Sequence, residues 1–176
     1  AGNLMIIIFA AALVFIYLFL VAQYESWLIP ISVILSVPLA ILGALVAIYL
    51  VGIPNGIYVQ VGLILLFGIS AKTAILIVEF AKENREEEGK SIYEASLFAA
   101  KTRFRAVMMT AMSFILGILP LVIATGAGAS SRRSLGTAVF GGMFMATIIG
   151  TLFIPSFFQL IQHVREWGKK LLSGKK

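Results

Sequence analysis

Five long apolar stretches, at residues 4–22, 31–51, 57–80, 106–124 and 135–161, take up most of this chain. Each is long enough to cross a hydrocarbon core as a helix, for which about 20 apolar residues suffice. Lipid offers no hydrogen bonds to exposed N–H and C=O groups, so continuous apolar runs of this length must satisfy their backbones internally, as helices. Hydrophobic residues make up 60% of the chain and charged residues 12%, with a mean hydropathy of +1.02. Soluble domains carry about a quarter charged residues. The predicted fold is an all-α integral membrane domain with five transmembrane helices, a single unit over residues 1–176 with no room for a second, soluble domain.

The net charge of +6 does not point to nucleic acid, because the basic residues gather in two segments flanking spans. The connector 81–105 carries Lys82, Arg85, Lys90, Lys101, Arg103 and Arg105, and the tail carries Arg165, Lys169, Lys170, Lys175 and Lys176. Basic flanks stay in the cytoplasm, so both segments are expected there, and the two crossings between them agree with that assignment. The loop 125–134 is then external despite Arg132 and Arg133, as is the N-terminus, whereas the C-terminus is cytoplasmic. Tyr24, Trp27, Tyr58 and Trp167 fall at span borders, where amphipathic rings settle. Pro54-Asn55-Gly56 marks a turn, and Pro38, Pro120 and Pro155 are expected to kink their helices.

Absence of cysteine excludes disulfides and thiolate metal sites, and one histidine, His163, is too few for an imidazole cluster. No metal, cofactor or enzymatic activity is expected. Ala1-Gly2-Asn3 offers neither an initiator methionine nor a basic n-region, and no small-residue cleavage site lies near Gln23 to Trp27. The expectation is a piece of a longer protein rather than a chain led by a cleaved signal.

Two local patterns add detail. Ser91-Ile92-Tyr93-Glu94 has the spacing of a capping box, and Ala95, Phe98, Ala99 and Thr102 follow at helical intervals. They predict a surface helix over 91–103, lying on the cytoplasmic face between spans three and four. Ala138, Gly142, Ala146 and Gly150 repeat every four residues in span five, a small-residue stripe that admits another helix backbone closely. The run Glu86-Glu87-Glu88 reads as a solvated face.

Lys72 is the residue that most restricts function. It lies in span three about 12 Å from Phe80 at the cytoplasmic end, and a lysine stem covers only about half of that. An ammonium at that depth costs roughly 3 kcal/mol on insertion scales, so such residues face the bundle interior and pair there. Thr110 on span four lies roughly 8 Å from the same edge, within reach of a long lysine, and Ser70 and Thr73 add hydroxyls nearby. Glu79, at i+7 from Lys72, shares its helical face but sits about 10 Å away along the axis, too far for a direct pair. The chain contains no aspartate. A carboxylate partner for Lys72 is therefore expected from helices outside these 176 residues.

Tyr24-Glu25-Ser26-Trp27, the run 62–82 around Gly68-Ile69-Ser70-Ala71-Lys72-Thr73, the segment Met109-Thr110-Ala111-Met112-Ser113-Phe114, Thr125-Gly126-Ala127-Gly128 and Gly141-Gly142-Met143 together resemble the resistance-nodulation-division exporters, in their hydrophobe/amphiphile multidrug branch. The resemblance runs from the first span to Phe158 and corresponds to the last five of that family's twelve spans. It implies a proton-driven drug exporter of the bacterial inner membrane, a homotrimer that works with a periplasmic adaptor and an outer-membrane channel. It also implies that Lys72, Arg103 and Thr110 form a proton relay with two aspartates in the N-terminal half of the transporter. The family commonly has proline where this chain has Ala106, so a straighter start to span four is expected.

The resulting expectation is the C-terminal, proton-coupling part of a drug/proton antiporter. The alternative is a structural fragment that assembles through the stripe and transports nothing by itself. A channel subunit fits less well, because one lysine among the spanning residues cannot supply the ring of charge that lines a pore.

Overall fold

The computed structural model describes residues 2–173, with side chains described over 6–167. The side chains of Lys169 and Lys170, and residues Lys175 and Lys176 altogether, lie outside the described residues. The chain forms α1 (Gly2–Tyr24), α2 (Ile29–Ile34), α3 (Val37–Val51), α4 (Ile57–Glu86), α5 (Ile92–Val122), α6 (Ala129–Met145) and α7 (Thr151–Ser173). No strand occurs among the described residues. Among the described residues, five helical stretches are long and apolar enough to cross a membrane: Ile6–Tyr24, Ile29–Val51, Ile57–Glu86, Ile92–Val122 and Ala129–Trp167. The chain is an all-α, multi-pass membrane protein.

Span two is not the single helix expected over 31–51. It divides at Leu35–Ser36 into α2 and α3. Pro38, in the first turn of α3, has no N–H to offer the carbonyl one turn back, and its ring disfavours the preceding helical geometry. Beside the break the hydroxyls of Ser32 and Ser36 donate back to the carbonyls of Ile29 and Val33, at 2.5 and 2.6 Å. At the far end Gly52, with φ 72°, takes the left-handed conformation that closes α3, and Ile53 N–H returns to Ile48 O at 2.9 Å.

The fifth span, expected over 135–161, begins earlier at Ala129 and is interrupted by a π-helical turn at Ala146–Gly150. Pro155 stands just beyond, where its missing N–H breaks the i to i−4 ladder, and Thr147 Oγ1 donates to Met143 O at 2.7 Å within the widened turn. The separate surface helix over 91–103 is replaced by the first turns of α5, which run without a break into span four. Ala106, a strong helix former, stands where proline would have ended the helix. The capping box does form: Ser91 Oγ accepts from Glu94 N–H, and a Glu94 carboxylate oxygen accepts from Ser91 N–H, both at 3.2 Å.

Helix α6 is the axis of the bundle, packing most extensively on α3 and then on α4 and α5. Two apolar cores result. One, at the end where the 81–105 connector lies, gathers Leu20, Tyr24, Ile29, Ile77, Val107 and Phe158, and the other gathers Ala40, Val59, Leu66, Ile115, Val139 and Met143. Helix α1 is peripheral, with only 6% of its spanning window buried by the rest of the chain.

The small-residue stripe lies inside the chain. Ala138, Gly142, Ala146 and Gly150 are all buried. A methyl group on Gly142 would run into Leu66 of α4 and come 2.9 Å from Ala40 O of α3. The closest backbone approach involves the neighbouring residue, Gly141, where an added Cβ would lie 2.8 Å from Gly43 O and against Ala47.

At the connector end, polar side chains tie three helices together. Arg85 donates to both carboxylate oxygens of Glu166 at 2.9 Å, and its remaining nitrogen donates to Lys90 O at 2.7 Å. Arg165 donates to Glu86 at 2.7 Å, and Gln159 of α7 donates to Ser96 of α5 at 2.7 Å. The end of α7 and the connector therefore share one end of the bundle, as an even number of crossings between them requires.

Candidate functional site

Lys72 lies near the middle of α4, on a face that no described helix covers, and Thr110 lies on the adjoining face of α5. The two side chains line one cavity of about 140 Å³ with Ile69, Thr73, Phe114 and Met143. Thr110 Oγ1 donates its single proton back to its own helix, to Val107 O at 3.0 Å and Ala106 O at 3.1 Å. Only its lone pairs remain for the cavity, so toward Lys72 it can act as an acceptor and nothing else. Lys72 Nζ makes no hydrogen bond or ion pair with any described residue. An ammonium has three donors to satisfy, and one hydroxyl oxygen cannot occupy them.

Arg103, the third residue expected in this group, is not in that cavity. It lies seven residues before Thr110 on α5, about 10 Å along the axis. Its guanidinium stacks over the Phe80 ring, 4.5 Å from the centroid. Phe80 in turn stacks on Phe98, with centroids 6.1 Å apart, and Lys90 Nζ sits 3.8 Å from the Phe98 centroid. Two cations and two rings thus bridge α4, the connector and α5, an arrangement in which the negative ring faces favour the positive groups. Arg103 Nε is buried and finds no acceptor among the described residues.

A second, larger cavity of about 490 Å³ opens beside Arg103, lined by Tyr24, Leu76, Glu79, Glu83 and Lys82 among others. Spacing on α4 sets Glu79 aside as too distant to pair with Lys72, and the structure seats it across this other cavity from Arg103. What sequence reasoning missed is Phe80, which holds Arg103; the signal available was only its position next to Glu79 on the same amphipathic end of span three.

Tyr24 anchors the edge of this region. Its hydroxyl donates to Ile75 O at 3.2 Å, and its own carbonyl accepts from Lys82 Nζ at 2.8 Å, so the end of α1 is fastened to α4 beside the charged residues. Glu25, with φ 49°, turns the chain immediately afterwards.

The sequence model of the AcrB/AcrD/AcrF family matches residues 1–162. The chain belongs to the AcrB/AcrD/AcrF family. It is 51% identical over 157 residues to multidrug resistance protein MdtF of Escherichia coli, covering 89% of this chain and 15% of that protein. To the toluene efflux pump membrane transporter TtgB of Pseudomonas putida it is 50% identical over 158 residues, covering 90% of this chain and 15% of TtgB. To the multidrug export protein AcrF of Escherichia coli it is 48% identical over 162 residues, 92% of this chain and 16% of AcrF. The chain therefore spans about 15% of the length of these family members. The family assignment agrees with the resemblance read from the motifs around Tyr24, Lys72, Thr110 and Gly141.

Proposed function

We propose that this chain is the C-terminal transmembrane part of a proton-driven drug/proton antiporter, with Lys72 as its charge-carrying residue. The observation that carries the reading is the unpaired Lys72 ammonium sharing a cavity with the acceptor oxygen of Thr110, on a face left open by the rest of the chain. An ammonium at membrane depth is stable only with a counter-charge, and the open face admits one from the N-terminal half of the transporter. A carboxylate there pairs with Lys72 when ionised and releases it when protonated, which links a proton to a change of packing. Arg103 acts one level below, at the connector end. The full protein is read as a homotrimer in the bacterial inner membrane, coupled to a periplasmic adaptor and an outer-membrane channel, with the resemblance as support.

The test is proton movement. In proteoliposomes holding the full transporter, with the interior acid, a drug that the transporter exports is expected to accelerate collapse of the pH gradient. Collapse at the same rate with and without drug overturns the antiport reading. Thr110→Ala removes an acceptor but no charge, and is expected to slow the drug-driven flux by about tenfold, the value of a lost hydrogen bond to a charged group.

Orientation is tested by single cysteines in this cysteine-free chain. Exposed Ser130, at the start of α6, and exposed Glu88, beyond the end of α4, lie at opposite ends of the bundle. An impermeant thiol reagent added to intact spheroplasts is expected to label Ser130→Cys but not Glu88→Cys until the membrane is opened. Labelling of Glu88→Cys from outside would reverse the topology.

A further inference from the structure

Two cavities follow one another along α4, the inner one against α5 and α6 and the outer one between α4, the end of α1 and Arg103 of α5. The inner one holds Lys72 and Thr110, and the outer one holds Glu79 and Arg103. On α4 the residues Lys72, Leu76, Glu79 and Glu83 fall at intervals of four, three and four, a single helical face. Leu76 lines the outer cavity, so polar space reaches to within one turn of Lys72, about 6 Å along the axis. Val107, 1% exposed, occupies the matching level of α5, between Arg103 and Thr110. Both cavities thus carry polar groups, and Leu76 and Val107 form an apolar step about one turn thick between them.

A proton exchanged at the level of Lys72 must cross that step to reach the solution at the connector end. The outer cavity is suited to receive it. Arg103 Nε, buried and without an acceptor among the described residues, requires a hydrogen-bond partner, and a polar cavity of 490 Å³ is ample for water to supply one. The charged and titratable groups facing this space are Tyr24, Lys82, Glu83, Glu86, Glu87 and Arg103, together with Glu79 itself. Glu86 is already engaged, by Arg165 at 2.7 Å and by Lys82 at 3.7 Å. Glu83 and Glu87 lie further toward the end of α4. Glu79 is the acid nearest Lys72 along the helix and has no ion pair or hydrogen bond among the described residues.

The geometry points to Glu79 as the carboxylate that passes protons between the Lys72 site and the solution at the connector end. The inference rests on the antiport reading above. A proton leaving the carboxylate that faces Lys72 crosses on water admitted transiently past Leu76 and Val107, forms the O–H bond of Glu79, and passes on to cavity water as Glu79 becomes ionised again. Nothing is oxidised or reduced, and the charge of the two cavities returns to its starting value. Arg103 supplies the positive charge across the cavity, and Leu76 and Val107 keep water from joining the two cavities continuously.

The experiment uses the full transporter in proteoliposomes and measures drug-driven proton flux while the pH on the connector side is varied. Glu79→Gln is expected to lower the maximal flux about a hundredfold, the lower end of what a positioned proton-transfer group contributes, and to flatten the pH profile. The drug concentration giving half-maximal flux should not move. Glu79→Asp keeps a carboxylate and is expected to restore most of the flux together with a sloping profile. Wild-type flux and profile in Glu79→Gln overturn the proposal, and so does a loss of flux in both variants with the wild-type profile retained, which is the signature of a packing role. Lys72→Met separates the two levels of the argument. If it retains coupled flux, the role given to Lys72 fails and Glu79 has no site to serve; if it is silent while Glu79→Gln behaves as wild type, only the role of Glu79 fails.

Discussion

Lys72→Met in the full transporter is expected to abolish drug export at equal or higher abundance in the membrane. Methionine matches the lysine stem in length and flexibility, so the walls formed by Ile69, Phe114 and Met143 keep their contacts. Only the ammonium is lost. Removing it also removes an insertion cost of roughly 3 kcal/mol, which is why abundance should not fall. Export should fall completely, because a carboxylate opposite an apolar side chain has no reason to change its pairing when it gains or loses a proton. Lys72→Arg tests the converse. It keeps a charge that never dissociates and is bulkier at its tip, so a lower rate with some coupling retained is expected. The measurement is efflux of a dye that the unmodified transporter exports, set beside the quantity of protein in the membrane. Export at the wild-type rate by Lys72→Met would mean that the lysine is merely accommodated in its cavity.

That Lys72 and Thr110 lie at one level could be read from the sequence, because level needs only depth. Spans three and four are antiparallel, their residues advance by about 1.5 Å each, and two positions at similar distances from one border must lie at one level. Arg103 and Glu79 could not be placed in the same way. Whether two residues face one cavity depends on rotation about each helix axis, which follows from how the buried faces of α4 and α5 pack, the Phe80 and Phe98 stack among those contacts. Hydropathy likewise found the spans but not the helices. Apolar length ends at the membrane border, whereas helical hydrogen bonding continues past it, which is why α7 extends through Arg165 and Glu166 and α5 begins as early as Ile92. The break at Leu35–Ser36 and the π turn at Ala146–Gly150 cost no apolar residue, so no hydropathy pattern registers them. Pro38 and Pro155 were visible as kink sites close to them; the form of each interruption lies in the backbone hydrogen bonding, which no side-chain pattern spells out.

The stripe in span five shows how a correct pattern can miss the tightest contact. Ala138, Gly142, Ala146 and Gly150 share one face, but Gly141 is rotated from Gly142 by about 100° at 3.6 residues per turn. It therefore looks toward α3, where Gly43 O would stand 2.8 Å from any Cβ placed on it. That contact carries the second large prediction. Neither neighbour can give way locally: the Ala47 Cβ is fixed to its backbone, and a backbone oxygen in a helix cannot move without carrying its turn with it. Gly141→Ala is therefore expected to destabilise the transporter by about 1–3 kcal/mol, the range for overpacking a filled core, and Gly141→Leu to prevent α3 and α6 from packing at all. The measurement is the fraction of protein remaining monodisperse in detergent after a heating series, with each variant compared at equal expression. Adding Ala47→Gly to Gly141→Ala removes the closer of the two collisions and should recover only part of the loss, because the Gly43 carbonyl remains. Full recovery would assign the cost to the Ala47 methyl, and unchanged stability in Gly141→Ala would show that α3 and α6 stand further apart than this packing requires.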